Sequence, residues 1–439
     1  MISLKKALQV AAENGIKDLS LRTSNNTTLT VEIDNGVPEK TQFSSDSYFV
    51  ALGAINGHKV SFHADVLDKN TLPLMIKSMK EQKDYTKEFD TGLIVDPKGL
   101  TYTGHPVYNS KVGKLTSQDL ISVSKELYEA IKVADEKIIN LVTEASATTG
   151  VNELVNSKGL RLKKKEAYVV VSWFAVAKEG EEVVSYSDVL ILKDLKLLKK
   201  EKIAKETAKM LNDELKAKKG ASGVKKCLIK PHPSLVLIQS ILSHLSMFDI
   251  DQNLSLLKDT QGKKVFSEKL NVLDKPITKD LYSTPFDSEG YPTCNKELVK
   301  DGVVMTYLYD QEMAQKYNHE PTGNGFGSTT IHPALTNVEV LPGEKVHKEL
   351  LKEIEDGYLI TSISGVHSGL NGQTGDFTLS GEGYYVKGGK VRHYVNQLTL
   401  SGNILELLKN VVDVSKDQVV DYTGSRSPYL LVKDIVISC

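Results

Sequence analysis

Pairs of turn-forming residues recur at short intervals through the second half of this chain. Glycine, aspartate and proline are the residues that tight turns require, so each pair marks the end of one strand and the start of the next. The pairs are Asp287-Ser-Glu-Gly290, Asp301-Gly302, Pro342-Gly343, Asp356-Gly357 and Gly388-Gly389. This spacing predicts that the chain beyond residue 262 is β-rich, folded as an antiparallel sheet or a barrel, and interrupted by short helices at 344–355 and 401–409.

The first 115 residues mix helical and extended patterns. Apolar residues at helical spacing predict an amphipathic helix over 3–14, short strands fill 17–64, and a second helix is predicted over 71–84. Turn and breaker residues separate these elements: Gly15, Asn25-Asn26, Asn35-Gly36, Pro97-Lys-Gly99 and Gly104-His-Pro106. Asn25-Asn26 and Asn35-Gly36 are interpreted as hairpin turns.

Two helices enclose a group of long strands in the next hundred residues. The first helix begins at Thr116, which is followed by an acidic residue in the first turn, and the second spans 199–218. The strands between them are predicted at 137–146, 151–157, 160–176 and 182–193. The lysines of the second helix are interpreted as a solvated face, since charge runs of this kind usually cover apolar surface.

A polar, glycine-containing segment over 218–223 is the best linker candidate. It divides the chain into 1–219, an N-terminal α+β domain with a sheet and packed helices, and 222–439, a C-terminal β-rich domain. A sub-boundary near residue 110 would divide the N-terminal domain further. The second domain starts with a strand at 225–229, a break at Pro231-His-Pro233, and a helix from Ser234 to about residue 248. The fold class is therefore α+β.

Composition and charge exclude several classes of function. The 439 residues are 40% hydrophobic and 25% charged with a net charge of -1, so nothing in the totals attracts nucleic acid or an anionic membrane. Three widely spaced cysteines, Cys227, Cys294 and Cys439, form no disulfide framework and are typical of a reducing cytoplasm. No signal peptide and no run of about 18 apolar residues is present.

The stretch Gly365–Leu379 combines glycines with one imidazole, two carboxamides, one carboxylate and several hydroxyls, and it contains no apolar run. A loop with so little to bury is a candidate binding site. Within it, His367 as a base and Asp376 as its orienting carboxylate are the candidate catalytic pair. The alternative is a long β-connection held by side-chain-to-backbone hydrogen bonds.

Two other segments carry polar residues beside glycines. Asp287 and Glu289 flank the turn in Pro285–Thr293, where too few oxygen ligands are present for an EF-hand, so Asp287 is interpreted as capping its own turn. Asn324 lies in Thr322–Thr329, which has no lysine at the position that a phosphate-binding loop requires.

Taken together, these segments resemble the PmbA/TldD family, and specifically its TldE (PmbA) branch, almost from end to end. The motifs that carry the resemblance are Phe286–Thr293, Thr322–Asn324, Gly365–Asn371, Thr374–Phe377 and Ser401–Asn403. The resemblance implies a cytoplasmic proteolytic system of two related subunits, linked to peptide antibiotic maturation and antitoxin turnover and once named a modulator of DNA gyrase. It also implies an α+β N-terminal part and a β-rich C-terminal part.

The chain departs from the TldD-type subunit, which holds zinc with an H-E-x-x-x-H helix and a cysteine near the C-terminus. The motif falls here on Gln239, Ser240 and His244, and the cysteine position falls near Arg426 or Ser427. One imidazole does not make a catalytic zinc site, which takes about three protein ligands. The resemblance therefore implies no cofactor in this chain, with zinc in a TldD-like partner only.

These observations predict a non-catalytic subunit that pairs with a TldD-like zinc subunit, or with itself, and contacts a peptide or unfolded protein. The predicted contact residues are Asp287, Glu289, Asn324, His367, Asn371, Thr374 and Asp376. One alternative is a metal-independent hydrolase, active alone or as a homodimer, that uses His367 and Asp376. Another is a gyrase-associated regulatory protein, which the charge balance disfavours.

Overall fold

A computed structural model describes residues 2–86, 94–104 and 107–439. The strands are β1 Asp18–Asp34, β2 Val37–Ile55, β3 His58–Ala64, β4 Ile138–Asn156, β5 Arg161–Glu179, β6 Glu182–Leu192, β7 Gly223–Ile229, β8 Val272–Asp274, β9 Lys296–Lys300, β10 Val303–Val304, β11 Gly325–Gly327, β12 Ile331–Pro333, β13 Val338–Val340, β14 Asp356–Ser364, β15 Asp376–Lys387, β16 Lys390–Asn403, β17 Val411–Val420 and β18 Arg426–Ser438.

Short helices cover the sheets. The α-helices are α1 Leu4–Glu13, α2 Thr71–Gln82, α3 Ser117–Ala134, α4 Lys200–Leu215, α5 Pro231–Leu242, α6 Met247–Asp251, α7 Gln311–Lys316, α8 His347–Lys352, α9 Val366–Gly369 and α10 Ile404–Lys409. Three single 3₁₀ turns lie at Val112–Lys114, Leu195–Leu197 and Ser243–Leu245. Among the described residues, no helix has both the length and the apolar character needed to cross a membrane.

The N-terminal half is a six-stranded antiparallel sheet in the order β3-β2-β1-β4-β5-β6. Helices α3 and α4 bury their apolar stripes, which include Leu127 and Leu211, against β4 and β5. Helix α3 starts at a complete capping box between Thr116 and Asp119, as the sequence predicts. Helices α1 and α2 close a separate core over the strand ends that contain Leu19 and Phe49.

The C-terminal half is a ten-stranded sheet with few helices. Strand β7 runs parallel to β14 and antiparallel to β18, so the strands β7, β14, β15, β16 and β18 form a closed ring of pairings. The sheet is therefore mixed where turn spacing predicted antiparallel pairing. The reason is that β7 arrives from the first half of the chain and does not follow a hairpin turn. Helices α5 and α10 pack on the sheet in one large core.

One predicted hairpin turn is wrong. Asn25 and Asn26 lie inside β1, where they pair with Ser47 and Asp46 of β2 on one side and with Val151 and Gly150 of β4 on the other. A Cβ at Gly150 would lie 2.2 Å from Asn26 Oδ1, so glycine makes room for the amide in the centre of the sheet. The same contact explains why the strands predicted at 137–146 and 151–157 are one strand, β4. Asn35-Gly36 is a turn as predicted, with φ values of 44° and 87°.

The predicted break of the strand at Pro231-His-Pro233 is confirmed, since β7 ends at Ile229, but the predicted start of the next helix is wrong, because α5 begins at Pro231. Pro231 occupies the first helical position, where its fixed φ fits the helix and its missing N–H costs no hydrogen bond. Ser234 is therefore inside α5 and not its cap, and its hydroxyl donates to the Ile229 carbonyl. The segment predicted as one helix to residue 248 is divided into α5, a 3₁₀ turn and α6. Of the predicted breaker Gly104-His-Pro106, residues 105–106 lie outside the described residues.

Candidate functional site

Two of the predicted contact residues lie in one buried region and four in an exposed region, and Asn324 is buried separately. We call the first the acidic junction: Asp287, Glu289, Asp310 and Glu312 of the C-terminal half, with Arg22 and Lys59 of the N-terminal sheet. We call the second the glycine loop, residues 365–376. Asp287, Glu289 and Asn324 are 2%, 9% and 0% exposed, whereas the glycine loop lies largely on the surface.

The turn around Asp287 is built by its own side chain. Asp287 Oδ1 accepts hydrogen bonds from the backbone N–H groups of Glu289 at 3.0 Å and Tyr291 at 2.9 Å. Its second oxygen accepts from Gly325 N–H at 3.0 Å, which ties the turn to β11. The predicted self-capping turn is thus present, as aspartate favours. Asp287 also joins its own turn to β11, a segment distant in the sequence, and the local sequence did not predict this link.

Glycines allow this turn to approach its neighbours closely. Gly290 has a φ of +90°, and a Cβ there would lie 2.5 Å from Leu160 Cδ2 at the start of β5. A Cβ at Gly325 would lie 2.4 Å from Glu289 Oε2. Both positions therefore require glycine, the first for its conformation as well as for space. The turn 287–290 therefore packs directly against the N-terminal sheet, where Gly290 lies beside Leu160 and Leu154.

Charged side chains from both halves meet at the acidic junction. Lys59 of β3 pairs with Glu312 at 2.7 Å, and Arg22 of β1 donates to the Ser328 carbonyl at 2.6 Å. Glu289 Oε2 accepts from Gln311 N–H at 2.9 Å, at the start of α7. A cavity of about 30 Å³ lies between these groups, lined by Lys59, Glu289, Asp310 and Glu312 among others. That volume has room for about one water molecule and none for a peptide.

Burial governs the ionisation of the junction carboxyls. Desolvation raises the pKa of Asp287 to about 7, although the hydrogen bonds from Tyr291, Gly325 and Glu289 oppose the shift. Desolvation and repulsion from Asp287 and Asp310 raise the pKa of Glu289 as well. Burial also raises the pKa of Asp310. Asp287 can therefore hold a proton near neutral pH, but the cavity beside the junction is too small to admit a peptide.

Asn324 holds a separate buried carboxylate in place. Its amide donates to Asp274 Oδ2 at 2.8 Å and to the Ala334 carbonyl at 2.8 Å. Asp274 is fully buried, and Lys296 pairs with it at 3.0 Å. Sequence reasoning did not single out Asp274, because one aspartate at a strand end carries no motif. Asn324 is thus packed inside the C-terminal half, where its described partners are protein groups.

In the glycine loop, most polar side chains bond within the loop or to its neighbour Asn403. Asn371 Oδ1 accepts from the backbone N–H groups of Gln373 at 2.8 Å and Thr374 at 3.1 Å. Asn403 donates to Asp376 Oδ1 at 2.9 Å and to the Thr374 carbonyl at 2.9 Å. The hydrogen bonds that Asp376 makes with the side chains of Asn403 and Thr374 lower the pKa of its carboxyl. They match the alternative of a β-connection held by side-chain-to-backbone bonds.

His367 lies on the exposed surface of the short helix α9, at the start of the glycine loop. Among the described residues, no hydrogen bond joins His367 to Asp376, whose side chain is engaged by Asn403. The geometry therefore does not pre-align the pair as a base and its orienting carboxylate. His367 is an imidazole that a ligand arriving from solvent can reach.

The three side chains at the zinc-motif positions form hydrogen bonds with three different partners. Gln239 donates to Ser425 Oγ at 3.0 Å, and the Ser240 hydroxyl donates to the Leu237 carbonyl at 2.8 Å. His244 lies beyond the end of α5, where its Nδ1 accepts from Leu256 N–H at 3.2 Å. Over residues 2–86, 94–104 and 107–439, no three His, Cys, Asp or Glu side chains lie close enough together to hold a metal ion.

The segment that matches the cysteine position does lie against α5. Ser425 receives the Gln239 amide and also accepts from Val338 N–H at 3.2 Å. Arg426 pairs with Asp280, and the Ser427 hydroxyl donates to the Pro428 carbonyl at 2.9 Å. The fold therefore brings together the helix and the strand that the resemblance pairs, and it joins them through a neutral amide–hydroxyl bond.

Known proteins place this arrangement in one family. Residues 111–215 match the PmbA/TldA metallopeptidase central domain, and residues 222–439 match the C-terminal domain of the same family. The chain is 23% identical to Metalloprotease PmbA of Escherichia coli O157:H7, over 94% of this chain and 91% of that protein.

Solved structures agree with the family models. A Thermotoga maritima protein with a provisional name as a modulator of DNA gyrase has a TM-score of 0.88, with 26% identity over 99% of each chain. TldE from Thermococcus kodakarensis has a TM-score of 0.87 at 20% identity, over 99% of this chain and 100% of that one, and so shares the fold. This chain belongs to the PmbA/TldD metallopeptidase family.

Proposed function

We propose that this chain is the zinc-free subunit of a TldD/TldE-type metalloprotease complex that acts in proteolysis or peptide maturation. Its partner would be a TldD-like subunit that holds the zinc, and its substrate a peptide or an unfolded protein. Family membership supports the link to proteolysis. The observation that carries the subunit role is the chemistry at the motif positions. There α5 presents the neutral side chains Gln239 and Ser240, and Gln239 is already bonded to Ser425.

Gln239 and Ser240 lack the chemistry that zinc hydrolysis needs. A catalytic zinc requires imidazole, thiolate or carboxylate ligands and a base for the bound water. An amide and a hydroxyl supply neither, and His244 is turned towards the Leu256 backbone. In this proposal, the chain contributes surface to a shared site and the partner contributes the reaction.

The experiment measures zinc content and peptidase turnover of the purified chain, alone and mixed with a TldD-like subunit from the same genome. We expect no stoichiometric zinc in the chain and turnover only in the mixture. Stoichiometric zinc in the isolated chain, or turnover without a partner, would falsify the subunit role.

The glycine loop is the part of the predicted contact surface that a peptide can reach. His367, Asn371, Thr374 and Asp376 are exposed, whereas Asp287, Glu289 and Asn324 are buried. A peptide lying along the loop would meet the His367 imidazole and the loop's exposed backbone, the kind of groups that bind extended chains.

His367→Ala tests this contact in the mixed complex. We expect the variant to bind the partner normally and to raise KM for peptide about tenfold, equivalent to about 1.4 kcal/mol of lost binding. His63→Ala is the matched control, because His63 is an exposed histidine of the N-terminal sheet. Equal KM values for His367→Ala and the wild-type protein would rule out peptide contact at His367 without affecting the subunit role.

A further inference from the structure

A pocket of about 340 Å³ lies between the two halves of the chain, and none of the residues that line it belongs to the acidic junction or the glycine loop. Tyr168 of β5 and Ile191 of β6 line it from the N-terminal sheet, and Tyr282 and Tyr422 line it from the C-terminal half. The volume lies within the range of small-molecule sites, which begins at about 300 Å³. The pocket is therefore large enough for a ring-sized group.

The ring of Tyr282 is fixed against the turn 421–425. Gly424 has a φ of +89°, and a Cβ there would lie 2.4 Å from Tyr282 Cγ, so the absence of a side chain makes room for the ring. Asp421 Oδ1 closes the turn by accepting a hydrogen bond from Thr423 N–H at 2.8 Å. Because Thr423 also lines the pocket, this wall is preorganised for a ligand.

Asn337 contributes a buried hydrogen-bond acceptor to the lining of the pocket. The residue is 8% exposed, and its Nδ2 donates to the Tyr282 carbonyl at 2.9 Å and to the Lys275 carbonyl at 3.3 Å. Among the described residues, none donates a hydrogen bond to Asn337 Oδ1. Because buried acceptors usually have a partner, this oxygen indicates a donor on the group that occupies the pocket.

The charges in and around the pocket are paired. Among the described lining residues, the charged side chains are those of Lys164 and Glu166, which pair with each other at 2.6 Å. Next to Tyr282, Arg426 pairs with Asp280 at 2.5 Å. A charged ligand would lose its water without gaining an unpaired partner, so the pocket favours a neutral group.

We propose that this pocket binds a phenol ring, as carried by a tyrosine side chain. The ring would pack against Tyr282 and Tyr422 in the offset or edge-on arrangement that aromatic pairs prefer, and its hydroxyl would donate to Asn337 Oδ1. The site is built from residues of this chain and does not depend on the proposed subunit role. It can therefore be measured in the isolated chain.

Calorimetric titration of the purified chain with N-acetyl-tyrosinamide is the first test. We expect a dissociation constant below about 1 mM, as for a good ligand of this size. N-acetyl-phenylalaninamide lacks only the hydroxyl, so it should bind about five- to tenfold more weakly, because Asn337 Oδ1 then keeps no donor. N-acetyl-lysinamide carries a positive charge and should bind at least about tenfold more weakly than the tyrosine amide.

Three results of these titrations would overturn the proposal. They are no binding of N-acetyl-tyrosinamide up to about 10 mM, equal binding of the phenylalanine amide, and equal or tighter binding of the lysine amide. Free tyrosine distinguishes a peptide from an amino acid as the source of the ring, because it brings an ammonium and a carboxylate to the pocket. We expect it to bind at least about tenfold more weakly than the amide, and tighter binding would assign the same phenol site to the free amino acid.

Variants of the lining locate the binding site. Tyr422 is 47% exposed, so we expect Tyr422→Ala to fold and to weaken N-acetyl-tyrosinamide at least about fivefold. Tyr85→Ala is the matched control, because Tyr85 is an exposed tyrosine that does not line the pocket, and binding should stay within about twofold.

Ile191→Trp fills the pocket from β6 and leaves every tyrosine in place, so it should abolish binding of the tyrosine amide. Urea unfolding of each variant verifies that it is folded. Binding of wild-type strength in folded Tyr422→Ala and Ile191→Trp would overturn the proposal.

Discussion

The acidic junction and the glycine loop each contain an aspartate that accepts hydrogen bonds, but the two aspartates lie in opposite surroundings. A glycine stands near each of them, Gly290 after Asp287 and Gly375 before Asp376. Asp287 lies in the buried junction and its pKa is raised, whereas Asp376 lies on the surface and its pKa is lowered. The difference shows that hydrogen bonds stabilise a carboxylate only to the extent that desolvation does not outweigh them.

The same contrast separates structural from ligand-facing residues. The junction side chains bond across the two halves of the chain, through Lys59 with Glu312 and through Arg22 with the Ser328 carbonyl. The glycine loop bonds mainly to itself and leaves His367 accessible to solvent. We therefore expect substitutions in the junction to change stability, and substitutions in the loop to change binding. Three predictions test this division, in decreasing order of effect.

The largest effect is expected from Asp287→Ala. The substitution leaves the buried N–H groups of Glu289, Tyr291 and Gly325 without an acceptor, and each such loss costs about 1 to 3 kcal/mol. Partial relief of desolvation offsets some of this, so we expect a net loss of about 3 kcal/mol in the free energy of unfolding, measured by urea titration. Asp376→Ala is the matched control, because water replaces its lost bonds. Equal losses in the two variants would contradict the division.

A somewhat smaller effect is expected from Gly290→Ala. Its Cβ would meet Leu160 Cδ2 at 2.5 Å and would occupy a φ of +90°. Overpacking and the left-handed conformation together should lower the free energy of unfolding by about 2 to 3 kcal/mol. In the glycine loop, a Cβ at Gly372 would meet open space. Gly372→Ala should therefore change the free energy of unfolding by less than about 0.5 kcal/mol. Thermal or urea unfolding of both variants measures the two changes in the free energy of unfolding, and equal changes would contradict the division.

The smallest effect, taken per pH unit, is the pH dependence that Glu289 contributes. A carboxyl whose pKa is raised by folding holds its proton in the folded state after the unfolded state has lost it. Its contribution to stability is therefore present below the unfolded pKa of about 4.3 and is lost as the pH rises through the folded pKa. One such proton corresponds to about 1.4 kcal/mol per pH unit within that window.

Glu289→Gln should therefore gain stability relative to the wild-type protein as the pH rises from 5 to 8. Urea midpoints at several pH values measure the difference between the two proteins. The exposed Glu181→Gln variant is the control and should follow the wild-type curve. A constant difference between Glu289→Gln and wild type across this range would show that Glu289 does not titrate there.

Local sequence predicted elements wherever their signals were short-range. The capping box at Thr116, the Asn35-Gly36 turn and the Gly388-Gly389 hairpin act within a few residues, and all are present. Prediction failed where a distant strand changed the meaning of a local signal. Asn25-Asn26 is typical of a turn, but Gly150 across the sheet leaves space for the Asn26 amide and the strand continues.

The sequence allowed the polar motifs of the candidate site to be predicted, but it did not allow their burial to be predicted. The motifs around Asp287, Asn324 and the glycine loop are visible in the sequence, but their burial is not. Lys59 and Arg22 reach the junction from strands more than two hundred residues away and carry no motif of their own. No local pattern could identify them, because their role comes from the packing of the N-terminal sheet on the turn 287–290.

The sequence by itself determined the α+β class, the turns at Asp287–Gly290, Asp301-Gly302 and Gly388-Gly389, and the residue types at the zinc-motif positions. These follow from periodicity, turn chemistry and side-chain identity, which act locally. Only the tertiary structure decided which polar motif is buried, how the pKa of Asp287 and of Asp376 shift, and that Asn25-Asn26 lies inside a strand. Solvent exposure and long-range strand pairing set these properties, and neither is encoded in any one segment.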